Sequence, residues 1–298
     1  METWSVNFPP EGSMEIPIID VSGIRRKYLD VAYAAQSPSQ KLDIYLPPEG
    51  EGPFPTIIFI HGGAFIFGNK RDIQFLQAID GVNRGYAVVS VEHRLAFEAK
   101  YPAPLFDVKA AIRFLRANAS KYLLDPERFG ACGDSAGGYY AVMAAATAGN
   151  PAFEDFTMGY ADYPATVKAL VSWFGVFDII AQDKEVEKYG VTDPNMPDVD
   201  KLWLGAHSSE IEGLMHFTNP LHFITKDFPP IYILHGSNDH TVPCIQAYLL
   251  EEKVREVCGA GHVAMEIMEG YEHGGLELRW TELQNIDKGF AFFDKHLK

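Results

Sequence analysis

Cysteine is scarce in this chain. Cys132, Cys244 and Cys258 are the only three in 298 residues, an odd number with no Cys-x-x-Cys spacing, so the sequence gives no basis for a disulfide framework or a thiolate zinc cluster. Positive charge is in deficit as well: 25 basic residues face 40 acidic ones, a formal charge of -15. A surface of that sign repels phosphate backbones and anionic lipid, which disfavours nucleic acid and membrane surfaces as partners and suits a neutral or weakly polar small molecule. No stretch approaches the roughly 20 apolar residues of a membrane span. The N-terminal segment METWSVNFPPEGSMEIPIID lacks the basic and apolar regions of a secretory signal, so a soluble, cytoplasmic protein is expected. Gly-x-Gly-x-x-Gly and Walker patterns are missing, and no histidine pair has metal-ligand spacing, so neither a cofactor nor a metal is expected. Self-association into a homo-oligomer stays open.

What is present is a core: 47% of residues are hydrophobic and 13% aromatic. Apolar, β-branched runs at 56–62, 86–95, 128–133, 169–177, 231–236 and 262–270 alternate with amphipathic stretches at 104–122, 242–257 and 281–297. Several runs are apolar throughout, as strands buried on both faces must be. The alternation predicts an α/β fold with a mostly parallel central sheet flanked by helices. Near the start, IRRKYLDVAYAA and QKLDIYLPP alternate by two and predict antiparallel edge strands. With no repeat or linker, residues 1–298 read as a single domain. Residues 179–227 are expected to form a cap or lid insertion between two late strands, helical around 201–203 and 208–215. It would lie over the carboxyl edge of the sheet, where open α/β sheets bind ligands.

The chemistry centres on Gly133-Asp134-Ser135-Ala136-Gly137. Gly-x-Ser-x-Gly alone is a weak signal, but here it follows a strand candidate and opens a helix candidate, the setting of a nucleophile elbow. A serine hydroxyl needs an adjacent base, and the base an orienting carboxylate. In this chain order the acid and the histidine follow the serine. His273, between glycines after the last strand candidate, and Asp239, at the end of the 231–236 run, fit those places. Asp178 is the alternative acid and His240 the alternative base, while Asp134 and Glu272 are read as structural. After the strand ending near Ile60, the N–H groups of Gly62, Gly63 and Ala64, joined by that of Ala136, are candidates for an oxyanion hole. Phe65 and Phe67 beside this loop, and Trp203 in the insertion, are candidates for lining an acyl or alcohol pocket.

The segments HGGAF, VEHRLAFEAKYPAPLFDVKAAIRFLRANASKYLLDPERFGACGDSAGG, HGSNDHTVP and YEHGG resemble the α/β-hydrolase superfamily. The resemblance is to its hormone-sensitive-lipase-like carboxylesterases and the related feruloyl and acetyl-xylan esterase-like group, and it extends from about Arg25 to the C-terminus. It implies an α/β-hydrolase fold and a Ser135, Asp239, His273 triad, with Gly63, Ala64 and Ala136 as oxyanion-hole donors. Ala64 stands where the family usually has a third glycine, and Phe97 where proline is common. The expected activity is that of a serine carboxylesterase acting through an acyl-enzyme on short-chain or aromatic acyl esters, acetyl or feruloyl groups on carbohydrates among them. Two rivals remain: a small serine peptidase with prolyl-oligopeptidase-like chemistry, and a non-catalytic ligand-binding protein on the same fold.

Overall fold

The computed structural model describes residues 6–7, 16–189, 197–274 and 278–298. Its centre is an eight-stranded sheet of β1 (Lys27–Ala32), β2 (Lys41–Tyr45), β3 (Phe54–Ile60), β4 (Ala87–Val91), β5 (Leu124–Asp134), β6 (Ala169–Trp173), β7 (Ile231–Gly236) and β8 (Val263–Met268). The spatial order is β8-β7-β6-β5-β3-β4-β2-β1. Pairings from β4 through β8 are parallel, whereas β1 with β2 and β2 with β4 are antiparallel. The expected mostly parallel sheet with an antiparallel start is therefore what the chain forms.

The central strands are buried on both faces, which is why they read as unbroken apolar runs. Strand β3 keeps a period of two beneath that run. Ile58 and Ile60 join one core, and Ile57 and Phe59 join the core on the opposite face. The first core is covered by α1 (Ala103–Ala117), α2 (Ala136–Ala146) and α5 (Ile245–Cys258); the second by α6 (Leu283–Leu297) and the short helical segment from Ile73 to Arg84. Among the described residues no helix is long and apolar enough to cross a membrane.

Two details depart from the sequence reading. The run 169–177 was expected to be strand throughout, yet β6 stops at Trp173 because Phe174 turns to φ +39°. The segment that follows contains α3 (Ile179–Tyr189) as well as α4 (Val199–Leu204) and a short helix at Glu212–Met215. Helix α3 starts where the Ala181 N–H donates to Asp178 Oδ1 (2.9 Å), an N-cap signal that the strand reading of the preceding residues obscured. It sits between β6 and β7, on the same side of the molecule as the strand ends that carry the site below.

Candidate active site

Strand β5 ends in a turn so tight that only glycine fits two residues before and two residues after the serine. A Cβ on Gly133 would meet the Gly137 carbonyl carbon at 2.5 Å, and one on Gly137 would meet Ile60 O at 2.0 Å. Ser135 itself is held at φ +49°, ψ -120°, a conformation that costs a side-chain-bearing residue on the order of 1–3 kcal/mol. The backbone is fixed from both sides: Ser135 N–H donates to Trp173 O (2.9 Å) and Tyr139 N–H donates to Ser135 O (3.1 Å). The strained residue begins α2, so its side chain stands at the carboxyl edge of the sheet, beside the positive end of that helix.

The serine Oγ lies 3.0 Å from His273 Nε2, and His273 Nδ1 lies 2.7 Å from Asp239 Oδ2. A carboxylate can only accept, so Nδ1 carries the proton and Nε2 is left bare to accept from the serine hydroxyl. The histidine loop closes against the end of β7, where a Cβ on Gly236 would strike Tyr271 O at 2.2 Å. Phe174 packs edge-on against the imidazole at 4.9 Å between ring centres. Asp239 is buried, and its Oδ1 accepts the N–H groups of Thr241 (3.0 Å) and Val242 (2.8 Å). Burial opposes its charge, but the facing His273 ring and hydrogen bonds from His235 and His273 prevail and hold its carboxyl well below the usual range.

The alternatives sit elsewhere. Asp178 caps α3 and accepts from Asn219 Nδ2 (3.0 Å), and His240 Nε2 lies 3.1 Å from Asn238 Oδ1.

Facing the elbow is the loop that follows β3. Gly63 has φ +109°, Ala64 φ +49° and Phe65 φ +64°. The Gly63 carbonyl is turned into the loop, accepting from Ile66 and Phe67 N–H (both 2.9 Å). Among the described residues the N–H groups of Gly63 and Ala64 have no partner. The loop is tied to the elbow because Gly62 N–H donates to Asp134 Oδ1 (3.0 Å). Unpaired backbone donors on a loop tied to the serine turn are the kind of group that a developing oxyanion requires.

A family model, BD-FAE, matches residues 42–254. The chain belongs to the BD-FAE family. Esterase LipQ of Mycobacterium tuberculosis is 26% identical over 269 residues, covering 88% of this chain but 61% of LipQ, so the chain spans under two thirds of that relative. A truncated carbohydrate esterase from gut microbiota superposes with a TM-score of 0.80 at 28% identity, covering 93% of this chain and 98% of that one. A bifunctional GH43-CE protein of Bacteroides eggerthii gives 0.78 at 29% identity, covering 92% of this chain and 35% of the other. The α/β-hydrolase resemblance and fold read from the sequence agree with these likenesses.

This BD-FAE chain also carries a buried polar group beneath the loop that sequence reasoning missed. Asp134, read as structural, is the strut to Gly62, and a Cβ on Gly62 would meet its Oδ2 at 2.5 Å. His61 donates from Nδ1 to Gly62 O (2.8 Å), and its Nε2 lies 3.3 Å from Glu92 Oε1, an ion-pair distance without hydrogen-bond alignment. Burial lowers the His61 pKa, but Glu92 outweighs it and pushes the imidazole up to about 9. His93 stacks on His61 at 4.4 Å, and burial and the His61 cation push it down to about 3. Burial raises both Asp134 and Asp72, with each other's charge adding for Asp134 and the His61 cation opposing. The signal in the sequence was a histidine at a strand end followed by two glycines; nothing local pointed to Glu92 or Asp72.

His235 was missed too. Its Nε2 lies 2.7 Å from Val242 O and 3.3 Å from Asp239 Oδ2. A carbonyl only accepts, so Nε2–H is the donor, shared between the two oxygens, and buried Nδ1 is left without a partner.

The three residues expected at a pocket differ in placement. Phe67 is 43% exposed, Phe65 is buried, and Trp203 has no exposed surface and stacks on Phe65 at 4.1 Å. Trp203 thus presents no face to a ligand in this conformation.

Proposed function

We propose that this chain is a serine carboxylic ester hydrolase working through an acyl-enzyme. What carries the reading is the continuous chain of contacts Ser135 Oγ, His273 Nε2, His273 Nδ1, Asp239 Oδ2, at 3.0 and 2.7 Å, on a strained turn. Ser135 Oγ bonds to the ester carbonyl carbon while its proton passes to His273 Nε2, and the carbonyl electron pair moves to oxygen. The N–H groups of Gly63, Ala64 and Ala136 receive that oxyanion, where one donor is worth about 3–4 kcal/mol. The C–O bond to the alcohol then breaks as His273 returns the proton to the leaving oxygen. Water repeats the sequence and frees the acid. Asp239 keeps its charge and holds the imidazole in the tautomer that can accept the serine proton.

Residues 179–227 act as a cap on a single hydrolase domain. The substrates are short-chain or aromatic acyl esters, with acetyl or feruloyl groups on carbohydrates as the natural class. The carbohydrate esterase likeness supports that class, as does exposed Phe67, a ring next to the oxyanion loop. Three unpaired thiols fit a cytoplasmic location. Purified protein and Ser135→Ala are compared on p-nitrophenyl acetate, then on acetylated xylan and methyl ferulate. Hydrolysis lost in the variant supports the mechanism, and equal rates refute it. Activity on the small ester without either carbohydrate-related substrate removes the substrate class alone.

A further inference from the structure

Two consecutive non-glycine residues in the oxyanion loop, Ala64 and Phe65, have left-handed backbones. Such residues persist only where the surroundings over-determine them. Part of that constraint is local: Ala96 N–H donates to Phe65 O (2.9 Å), and Gly63 O takes the two N–H groups that close the loop. The rest comes from the Phe65 ring, which meets Tyr139 and Tyr140 edge-on at 5.5 Å each and lies flat on Trp203, with an interplanar angle of 7°. Tyr139 and Tyr140 belong to the helix that Ser135 opens, so one ring touches both halves of the machinery. Trp203 comes from the segment between β6 and β7.

Trp203 is itself fixed on every side. Its Nε1–H donates to Tyr140 OH (3.0 Å), and its carbonyl accepts Tyr101 N–H (2.9 Å). Lys100 Nζ donates to the neighbouring Leu202 O, and the Tyr101 ring meets the indole edge-on at 5.1 Å. Nearby, Tyr101 OH donates to Phe217 O and Tyr139 OH to Thr218 O. The segment between β6 and β7 is therefore keyed into the aromatic cluster under this loop, and Trp203 is the member whose plane lies parallel to that of Phe65.

We propose that Trp203 is a positioning residue for the oxyanion hole: by stacking on Phe65 it holds the left-handed turn that aims the Gly63 and Ala64 N–H groups, so that the cap supports transition-state stabilisation without touching substrate. The inference rests on the oxyanion role given to those N–H groups above. It separates Trp203 from a pocket wall, which would act on substrate binding.

The test compares two ketones of one shape. A benzyl trifluoromethyl ketone adds the serine: a bond forms from Ser135 Oγ to the carbonyl carbon, the proton goes to His273, and a hemiketal oxyanion occupies the hole. The matching benzyl methyl ketone binds without adding. For Trp203→Ala, kcat/KM on p-nitrophenyl acetate and affinity for the trifluoromethyl ketone are expected to fall together, by about 10- to 100-fold, the scale of a 1 Å misplacement. Affinity for the methyl ketone should stay within about twofold, and Trp203→Phe, which keeps a stacked ring, should recover most of the loss. Trp203→Leu fills the volume without a plane, so the Phe and Leu variants decide the matter if the Ala variant does not fold. Equal losses on both ketones, no loss on either, or a Phe variant as impaired as the Leu variant overturns the proposal. A wild-type protein that forms no hemiketal overturns the esterase reading instead.

Discussion

His61 and His93 lie ring on ring beneath the loop that follows β3, and their environments leave the pair a single positive charge, held by His61. Glu92 beside His61 pushes that imidazole up to about 9, while burial and the His61 cation push His93 down to about 3. The stability consequence has a definite sign for His93. Its folded form refuses a proton that the unfolded chain accepts below about pH 6.5, so the unfolded state binds more protons and stability falls as pH drops through that value. Each pH unit costs about 1.4 kcal/mol until the folded pKa is reached, so by pH 4.5 the loss is about 2.7 kcal/mol.

The perturbation is His93→Phe, which keeps a flat ring on His61 and removes the titrating nitrogens. It also removes the contact of His93 Nδ1 with Arg94 O at 3.2 Å, a loss that does not vary with pH. Urea unfolding of both proteins at half-unit steps from pH 4.5 to 7.5 gives the free-energy difference. The variant should gain on the wild type by about 2–3 kcal/mol between pH 6.5 and 4.5. Taking the difference cancels the surface carboxylates common to both chains. Parallel curves would refute the reasoning, because they would mean that His93 takes up its proton in the folded state as readily as in the unfolded one.

Other expectations follow from the same geometry. Asp239→Asn should keep the fold yet lower kcat on p-nitrophenyl acetate by about 10⁴-fold, because the amide no longer fixes the Nδ1–H tautomer; a loss under tenfold counts against the assigned acid. Asp134→Asn retains an oxygen for Gly62 N–H and should keep kcat/KM within about fivefold, whereas Asp134→Ala frees the loop and should lose about 10- to 100-fold. Since burial raises the Asp134 pKa, the folded state holds a proton the unfolded chain releases, so wild-type stability declines as pH rises through the raised pKa. Melting curves from pH 6 to 9 should show Asp134→Asn losing less than wild type. His235→Leu removes a long, shared hydrogen bond to the ionised Asp239, worth about 1 kcal/mol, so kcat/KM should fall about fivefold, with partial recovery in His235→Gln; a Gln variant no better than Leu would refute a role for the donor.

The fold was legible because its central strands are buried on both faces and helices such as α5 and α6 on one, two patterns that periodicity separates. The Ser135, Asp239 and His273 positions were legible because each follows a strand, with Ser135 and His273 among glycines that close packing requires. The support beneath them was not. Glu92 and Asp72 join His61 through sheet neighbours and a returning loop, contacts that leave no spacing in the sequence. His235 reads as one more polar end of a strand until Val242 O and Asp239 Oδ2 are seen to share its proton. Trp203 carried an aromatic signal that suits a pocket wall and a packed core equally, and only its stacking on Phe65 distinguishes them. Helix α3 was hidden because the apolar residues after Trp173 continue a strand-like composition past the point where Phe174 turns the backbone away.

That turn belongs to a wider pattern. Among the described residues seven non-glycine positions have positive φ, and four of them are Ser135 itself, Ala64 and Phe65 on the loop facing it, and Phe174 against His273. At about 1–3 kcal/mol each, they store an amount comparable with the whole stability of an ordinary domain. No local preference of these residues favours such backbones, so packing has to hold them. Phe65 is clamped by Trp203 and two tyrosines, Phe174 by His273 and Trp280 at 4.9 and 4.8 Å, and Ser135 by hydrogen bonds to β6 and α2. The strained residues are thus tied to one another through the groups they position, since Phe174 packs on the very histidine that faces Ser135. A substitution that relaxes one of them should disturb the alignment of the others before it lowers global stability, which makes activity the more sensitive reporter of damage at this edge of the sheet.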